Sequence, residues 1–165
     1  MSDHATTYYH SPVGILRISG TADYISEVAF PGREVQAEGS TDNIPPLLIQ
    51  CVEQFIQYFN GERRNFELPL NQPGTPFQQE VWNHLLSIPF AKTISYLDLA
   101  RKTGDLKATR AVASANGRNN IAIIVPCHRV IGSNNELIGY GGGLPRKKWL
   151  LEHERKIAYG IQTLF

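Results

Sequence analysis

The sequence is poor in sulfur and has no long apolar run: its 165 residues hold two cysteines and one methionine. Two thiols cannot build the disulfide framework of a small secreted domain, and a chain of this length buries an adequate core without disulfides or metal. No segment approaches the roughly 20 apolar residues of a spanning helix. Met1 to Tyr9 lacks the basic flank and apolar stretch of a secretory signal, so a cytoplasmic protein with no membrane partner is expected. Low-complexity segments and repeats are missing too, which excludes solenoid and linker architectures. With 42% hydrophobic and 19% charged residues, the composition is that of an ordered globular chain.

A net charge of +1 argues against a polyanionic partner only if the charge is evenly spread, and it is not. Residues 1 to 82 carry four basic residues (Arg17, Arg33, Arg63, Arg64) against ten acidic ones, a balance of −6. Residues 83 to 165 carry twelve against five, a balance of +7, so a nucleic acid would meet the second half.

The first thirty residues alternate around turn signals. Thr6 to His10, Gly14 to Ser19 and Tyr24 to Phe30 read as a short antiparallel sheet, with Ser11-Pro12-Val13-Gly14 as its first turn. A loop is expected over residues 31 to 45. Leu48, Ile49, Val52, Phe55, Ile56 and Phe59 then recur at helical spacing, giving a helix that should cover the sheet. Cys51 sits within it and reads as a small packed hydrophobe. The polar, Pro/Gly-containing stretch from 61 to 74 is the best domain boundary.

Thr75-Pro76-Phe77-Gln78 offers an N-cap, a first-turn proline and a capping-box glutamine. A helix to about Ser87 follows, with Phe77, Val81, Trp82, Leu85 and Leu86 as its core-facing stripe. Ser95 can cap Tyr96 to Lys102; Thr103-Gly104-Asp105 turns the chain; Lys107 to Asn116 forms a second helix. Two short helices about a glycine turn match a helix-turn-helix, a pattern that also describes helices that merely pack. The second helix is lined with small residues, Ala108, Thr109, Ala111 and Ser114, around one long cation, Arg110. A major-groove reader would carry several Asn, Gln or Arg, so this helix is shaped for close approach, as in a minor groove. Arg110 reads either as a surface arginine or as a side chain long enough to replace an extruded nucleotide.

Asn116 to Asn120 reads as a turn, and Ile121 to Val125 as a buried strand or extended segment that Pro126 stops. At its end stands Cys127-His128-Arg129, a thiol with two cationic neighbours. A glycine run, Gly139-Tyr140-Gly141-Gly142-Gly143, removes side chains where something must approach the backbone, or else marks a flexible loop. Pro145 starts a last helix, Arg146 to Lys156, with Trp149, Leu150 and Ile157 inward and His153 and Glu154 upon it. A buried glutamate accepting from a histidine fixes the imidazole tautomer and strengthens the base, so the candidate relay is Glu154, His128, a water and Cys127.

The string Ile124-Val125-Pro126-Cys127-His128-Arg129-Val130-Ile131-Gly132 resembles the active-site motif of the 6-O-alkylguanine-DNA alkyltransferases. The resemblance runs over about residues 74 to 154, through Thr75-Pro76-Phe77-Gln78, Ser95-Tyr96, Arg110-Ala111-Val112, Asn116-Gly117, Tyr140-Gly141-Gly142-Gly143-Leu144 and Trp149-Leu150-Leu151-Glu152-His153-Glu154. Before residue 74 it is one of general layout. It implies an α/β (α+β) fold: an N-terminal lobe of antiparallel sheet and helix over residues 1–70, and a mainly helical lobe over 74–165 with a winged-helix-like helix-turn-helix. It also implies a monomer that removes the alkyl group of 6-O-alkylguanine, and of 4-O-alkylthymine, from double-stranded DNA by one irreversible transfer to Cys127.

Under the same resemblance, His128 and Glu154 complete the activating relay, Asn119 braces the turn before the cysteine, and Tyr96 donates toward the guanine ring. Arg110 fills the place of the everted nucleotide. Val130, Tyr140, Gly141, Gly142 and Asn116 line the base pocket, while Ala108, Thr109, Ala111, Ser114 and Tyr96 meet the DNA. Gly141 departs from relatives that carry serine there, which leaves hydrogen bonding to the guanine oxygen to backbone N–H and opens the pocket to larger adducts.

Rival readings account for less. A damage-binding alkyltransferase-like module lacks the acceptor thiol that Cys127 supplies. A helix-turn-helix regulator in which an alkyltransferase half is joined to a metal-binding, DNA-reading half needs room and a cysteine cluster that the chain does not have. A cysteine hydrolase leaves the helix pair and Arg110 unexplained. His4, His10 and Cys51 lack ligand spacing and His84 stands alone, so neither metal nor cofactor is expected.

Overall fold

The computed structural model describes residues 4–32 and 43–160, in two compact units. One comprises the chain to Gln72 together with Asn120–Ala122; the other comprises Pro73–Asn119 and the chain from Ile123. The loop expected over 31 to 45 lies largely outside the described residues.

In the first unit, β1 (Ala5–Ser11), β2 (Gly14–Gly20) and β3 (Ile25–Ala29) form an antiparallel sheet in the order β1-β2-β3. The hairpin closes tightly because Gly14 takes φ 107° and the Ser11 hydroxyl both donates to the Gly14 carbonyl (2.6 Å) and accepts from Val13 N–H (3.1 Å). Alternation sends Leu16, Ile18, Ile25 and Val28 into the core. Helix α1 (Pro46–Phe59) covers the sheet as expected, with Phe55 stacked against Tyr9 (6.5 Å) and tilted on Phe66 (5.0 Å). Each such buried side chain contributes about 1.5–3 kcal/mol. Cys51 is fully buried here and burial pushes its thiol up to about 12, so it packs and does not react. The free side of β3 is met by later chain: Ile25 pairs with Leu70, and Val28 N–H donates to Asn120 O (2.9 Å) while Ala122 N–H donates to Val28 O (3.0 Å).

In the second unit, α2 (Pro76–Leu86) begins with the expected capping box at Thr75 and Gln78 and buries Val81, Trp82 and Leu85. Leu86, expected on that stripe, is 48% exposed, and Phe77 is half-buried. The stripe is narrower than the apolar residues suggest because the helix packs mainly on the later helix Thr109–Gly117 and more lightly on Tyr96–Lys102, leaving its remaining face to solvent. The Trp82 indole donates to the Ala115 carbonyl (2.9 Å) and ties α2 to the first of these. Helix α3 (Tyr96–Lys102) starts at a Ser95 cap that accepts from Asp98 N–H. Gly104 turns the chain at φ +90°, a tight 3-10 turn spans Leu106–Ala108, and α4 (Thr109–Gly117) follows. The second helix of the pair therefore begins two residues later than expected and runs one residue further, through Gly117, which the sequence places in a turn.

The expected strand over Ile121 to Val125 is not one. Only Ile121 makes a ladder contact; residues 122–124 turn, with Ile123 at φ +70° and almost wholly buried. A β-branched residue in the left-handed region is strained, and packing of its side chain holds it there. The apolar run signalled burial, which is right, but not extended geometry. Beyond it, β5 (Val130–Ile131) pairs parallel with β4 (Ile94–Ser95), and α5 (Leu144–Tyr159) ends at Gly160 in the left-handed conformation.

Candidate active site

Backbone geometry presents Cys127. Pro126 adopts φ −83° and ψ 64°, an inverse γ-turn closed by Cys127 N–H donating to Val125 O (2.8 Å), and one 3-10 turn, Cys127–Arg129, follows. Cys127 keeps 8% of its surface exposed, so a small path to the sulfur remains. Asn119 sits across the turn. Its amide nitrogen donates to the Val125 carbonyl (2.8 Å) and to Cys127 Sγ (3.3 Å), fixing the loop and the thiol with one group.

His128 is wholly buried and its Nε2 lies 2.7 Å from Glu154 Oε2. The carboxylate takes four contacts. Oε1 accepts from Ala91 N–H (3.1 Å) and Arg129 Nε (2.9 Å); Oε2 accepts from His128 and from Arg129 Nη2 (3.1 Å). Arg129 completes its own bonding at the Ile88 carbonyl (2.8 Å). Burial alone would raise the Glu154 carboxyl, but His128 and Arg129 together hold it well below the usual carboxylate range. Desolvation lowers His128, against the pull of Glu154. A neutral imidazole facing an ionised carboxylate carries its proton on Nε2. Nδ1 is then the basic nitrogen, and it makes no hydrogen bond among the described residues.

The thiol itself rests protonated. Burial raises Cys127, outweighing the Asn119 hydrogen bond and the nearby Lys147 charge, which favour the thiolate. The resting protein thus holds a thiol beside a base, not a preformed thiolate. Tyr96 and Tyr140 are raised first by burial and then by the Cys127 charge, which places both phenols within electrostatic reach of the sulfur. The Tyr96 hydroxyl donates to Ile138 O (3.0 Å).

The remaining expected residues are distributed over three surfaces. Asn116 is 5% exposed at the inner face of α4, and Val130 is fully buried in β5. Gly141 is exposed and Gly142 half-buried; a Cβ built at Gly141 meets nothing within 4 Å. On α4, Arg110, Ala111 and Ser114 are exposed with Ala113 and Gly117, a face of short side chains with one long cation. Thr109 and Ala108 are half-buried, and the Thr109 hydroxyl is spent on Leu106 O (2.9 Å).

Sequence reasoning missed two of the groups that complete the site. Arg129 was read as a second cation near the thiol and is instead the buried counter-ion of Glu154. Lys147 was not singled out, yet it is fully buried. The signal was present: Lys147, Leu150, Leu151 and Glu154 follow the helical i, i+3, i+4, i+7 spacing of one inward face.

A cysteine presented on a tight turn beside a buried His–Glu pair, in the same unit as a helix-turn-helix, fits the class of group-transfer proteins directed at nucleic acid. Comparison with known proteins sharpens this. The family model of the 6-O-methylguanine DNA methyltransferase DNA binding domain matches residues 76–156, and that of the same family's ribonuclease-like domain matches residues 5–72. The methylated-DNA-protein-cysteine methyltransferase of Mycobacterium leprae is 53% identical over 157 residues, covering 94% of each chain. The constitutive Bacillus subtilis protein of that name is 40% identical, over 93% of this chain and 96% of its own. The crystal structure of Mycobacterium tuberculosis OGT in complex with DNA superposes with a TM-score of 0.83 at 41% identity, covering 92% of this chain and 93% of that one.

The chain belongs to the 6-O-methylguanine DNA methyltransferase family. Its work is DNA repair by alkyl transfer, and it binds DNA. The match to the ribonuclease-like domain extends the relationship over the N-terminal half, where the sequence offered only a general layout. Among the described residues no helix is long and apolar enough to cross a membrane.

Proposed function

We propose that the protein takes the alkyl group from the 6-oxygen of guanine in duplex DNA, and from 4-O-alkylthymine, onto Sγ of Cys127, once per molecule. The observation that carries this is the 2.7 Å contact between His128 Nε2 and Glu154 Oε2: facing an ionised carboxylate, the ring carries its proton on Nε2 and leaves Nδ1, one residue from the thiol, as the base. In the transfer, an S–C bond forms as the C–O bond breaks, and the bonding pair passes to the guanine oxygen and ring. The thiol proton moves through a water to His128 Nδ1, and Tyr96 supplies a proton to the departing base. A thioether remains, and no group in the site can cleave it, so one chain repairs one lesion.

The lesion is stacked in a duplex and must be everted. The short side chains of Ala108, Thr109, Ala111 and Ser114 let α4 sit close in the minor groove, and Arg110 occupies the vacated stack. Asn116, Val130, Tyr140, Gly141 and Gly142 form the base pocket. The protein works as a monomer, in the cytoplasm. The working division is an N-terminal lobe, 1–70, and a DNA-binding, acceptor lobe, 74–165, the latter lending Asn120–Ala122 to the first unit.

Duplex DNA bearing a labelled methyl on the guanine oxygen tests this by peptide mass mapping. One label per chain on the Cys127 peptide is expected, and Cys127→Ala should bind the duplex without taking label. A chain that binds damaged DNA yet never acquires label is a damage-recognition module, and the proposal fails.

A further inference from the structure

Lys147 has no part in the transfer just described, yet it is wholly buried on α5, where a leucine or methionine would pack at no electrostatic cost. Among the described residues no carboxylate pairs with it. Its ammonium donates instead to two successive carbonyls, Ile138 O (2.7 Å) and Gly139 O (3.2 Å), and lies 5.8 Å from the centroid of the Tyr96 ring. Ile138 O is also the acceptor of the Tyr96 hydroxyl (3.0 Å). One carbonyl at the start of the glycine wall thus has two donors, a phenol and an ammonium. Gly139 makes the convergence possible: it takes φ +63°, and a Cβ there would stand 3.3 Å from the Tyr96 oxygen.

The shared carbonyl matters because Tyr96 cannot serve two acceptors with one proton. While it donates to Ile138 O it has nothing for a base. Turning toward a base withdraws one of the two donors at that carbonyl, and the ammonium is the one that stays. We propose that Lys147 is a positioning residue that keeps Ile138 O and Gly139 O satisfied, so that Tyr96 can leave the wall for the departing base without the wall collapsing. The inference rests on the assignment of Tyr96 as proton donor to the leaving base.

The test is a double-mutant cycle on single-turnover transfer from duplex DNA carrying labelled 6-O-methylguanine, using wild type, Lys147→Met, Tyr96→Phe and the double variant. Lys147→Met should slow transfer by about tenfold, the scale of one lost charge-assisted hydrogen bond. In the Tyr96→Phe background, where no phenol leaves the carbonyl, the same change should add only what the lost ammonium charge takes from the thiolate, read from iodoacetamide capture. Iodoacetamide capture of Cys127 should move to higher pH by the same amount in Lys147→Met and in the double variant, because the ammonium charge favours the thiolate whether or not Tyr96 keeps its hydroxyl. If Lys147→Met proves misfolded by circular dichroism, Lys147→Gln takes its place in the cycle, its amide serving one carbonyl and giving a smaller loss.

A double variant slower by the product of the single losses overturns the proposal. So does a loss in Lys147→Met that the shift of its iodoacetamide profile accounts for in full, which would mean that the ammonium acts only on the sulfur. Absence of label from wild-type Cys127 overturns the underlying assignment of function, and is distinguishable because it appears without any substitution.

Discussion

Replacing Glu154 with Gln keeps the side chain's shape and removes only its charge, which isolates what that charge does. The carboxylate meets four donor atoms at 2.7 to 3.1 Å, three of them on His128 and Arg129. A glutamine oxygen can still satisfy Ala91 N–H and Arg129 Nε, but its NH2 group then faces two donors, His128 Nε2 and Arg129 Nη2. Arg129 is left as a buried, uncompensated cation, and breaking a buried pair in this way costs about 3–5 kcal/mol. That is a large part of the roughly 5–15 kcal/mol that holds a domain together.

The sign with pH follows from the depressed carboxyl. Glu154 is held in the fold below its unfolded value of about 4.3, so its contribution is complete above that pH and is lost as pH falls toward the folded value. Urea unfolding at pH 7 should therefore show the full loss in Glu154→Gln, and the gap to wild type should narrow below about pH 4. Alkyl transfer should fall further, by about 10²–10⁴-fold, because an amide N–H facing Nε2 moves the imidazole proton to Nδ1 and removes the base. A variant within about 1 kcal/mol of wild type, with a gap that does not change with pH, would refute the reasoning.

Asn119→Ala strips the Val125 carbonyl and the Cys127 sulfur together; a loss of about 1–3 kcal/mol in urea unfolding is expected, with slower iodoacetamide capture of Cys127, and an unchanged capture rate counts against the assigned contact. Cys51, its thiol pushed up to about 12, should stay unlabelled by iodoacetamide in the folded protein at pH 8 and label in urea; labelling of both cysteines in the native state contradicts its burial. Arg110→Ala should weaken duplex binding in gel-shift titrations while iodoacetamide capture of Cys127 is unaffected, and equal loss of both would place Arg110 in the fold rather than on the DNA. Because a Cβ at Gly141 meets nothing within 4 Å, benzyl adducts should be accepted in the single-turnover assay, and slowed by Gly141→Val more than methyl adducts are; no detectable benzyl transfer in wild type disproves an open wall.

What was legible in the sequence was whatever is written locally. The Thr75 capping box, the Ser95 cap and the Gly104 turn are each decided within four residues, and the helices start and stop where those signals stand. The Pro-Cys-His-Arg string marks the reactive turn in the same way. What escaped depends on partners distant in sequence. Arg129 becomes a counter-ion only because Glu154 arrives from 25 residues away, and the Ala91 N–H that helps to bind the carboxylate lies 63 residues before it. Ile121 to Val125 misled for a related reason: its apolar content reports burial, and nothing in it announces that Ile123 turns into the left-handed region.

The path of the chain at Asn120–Ala122 bears on how the protein can be divided. A fragment ending at Gln72 would hold the whole three-stranded sheet, yet the amide and carbonyl of Val28 would lose their partners on the outer margin of β3. An open margin of that kind recruits other strands, and such a fragment should self-associate. Cutting at the natural boundary near residue 73 therefore yields no clean pair of halves: the piece that completes the first is a three-residue stitch borrowed from the middle of the second.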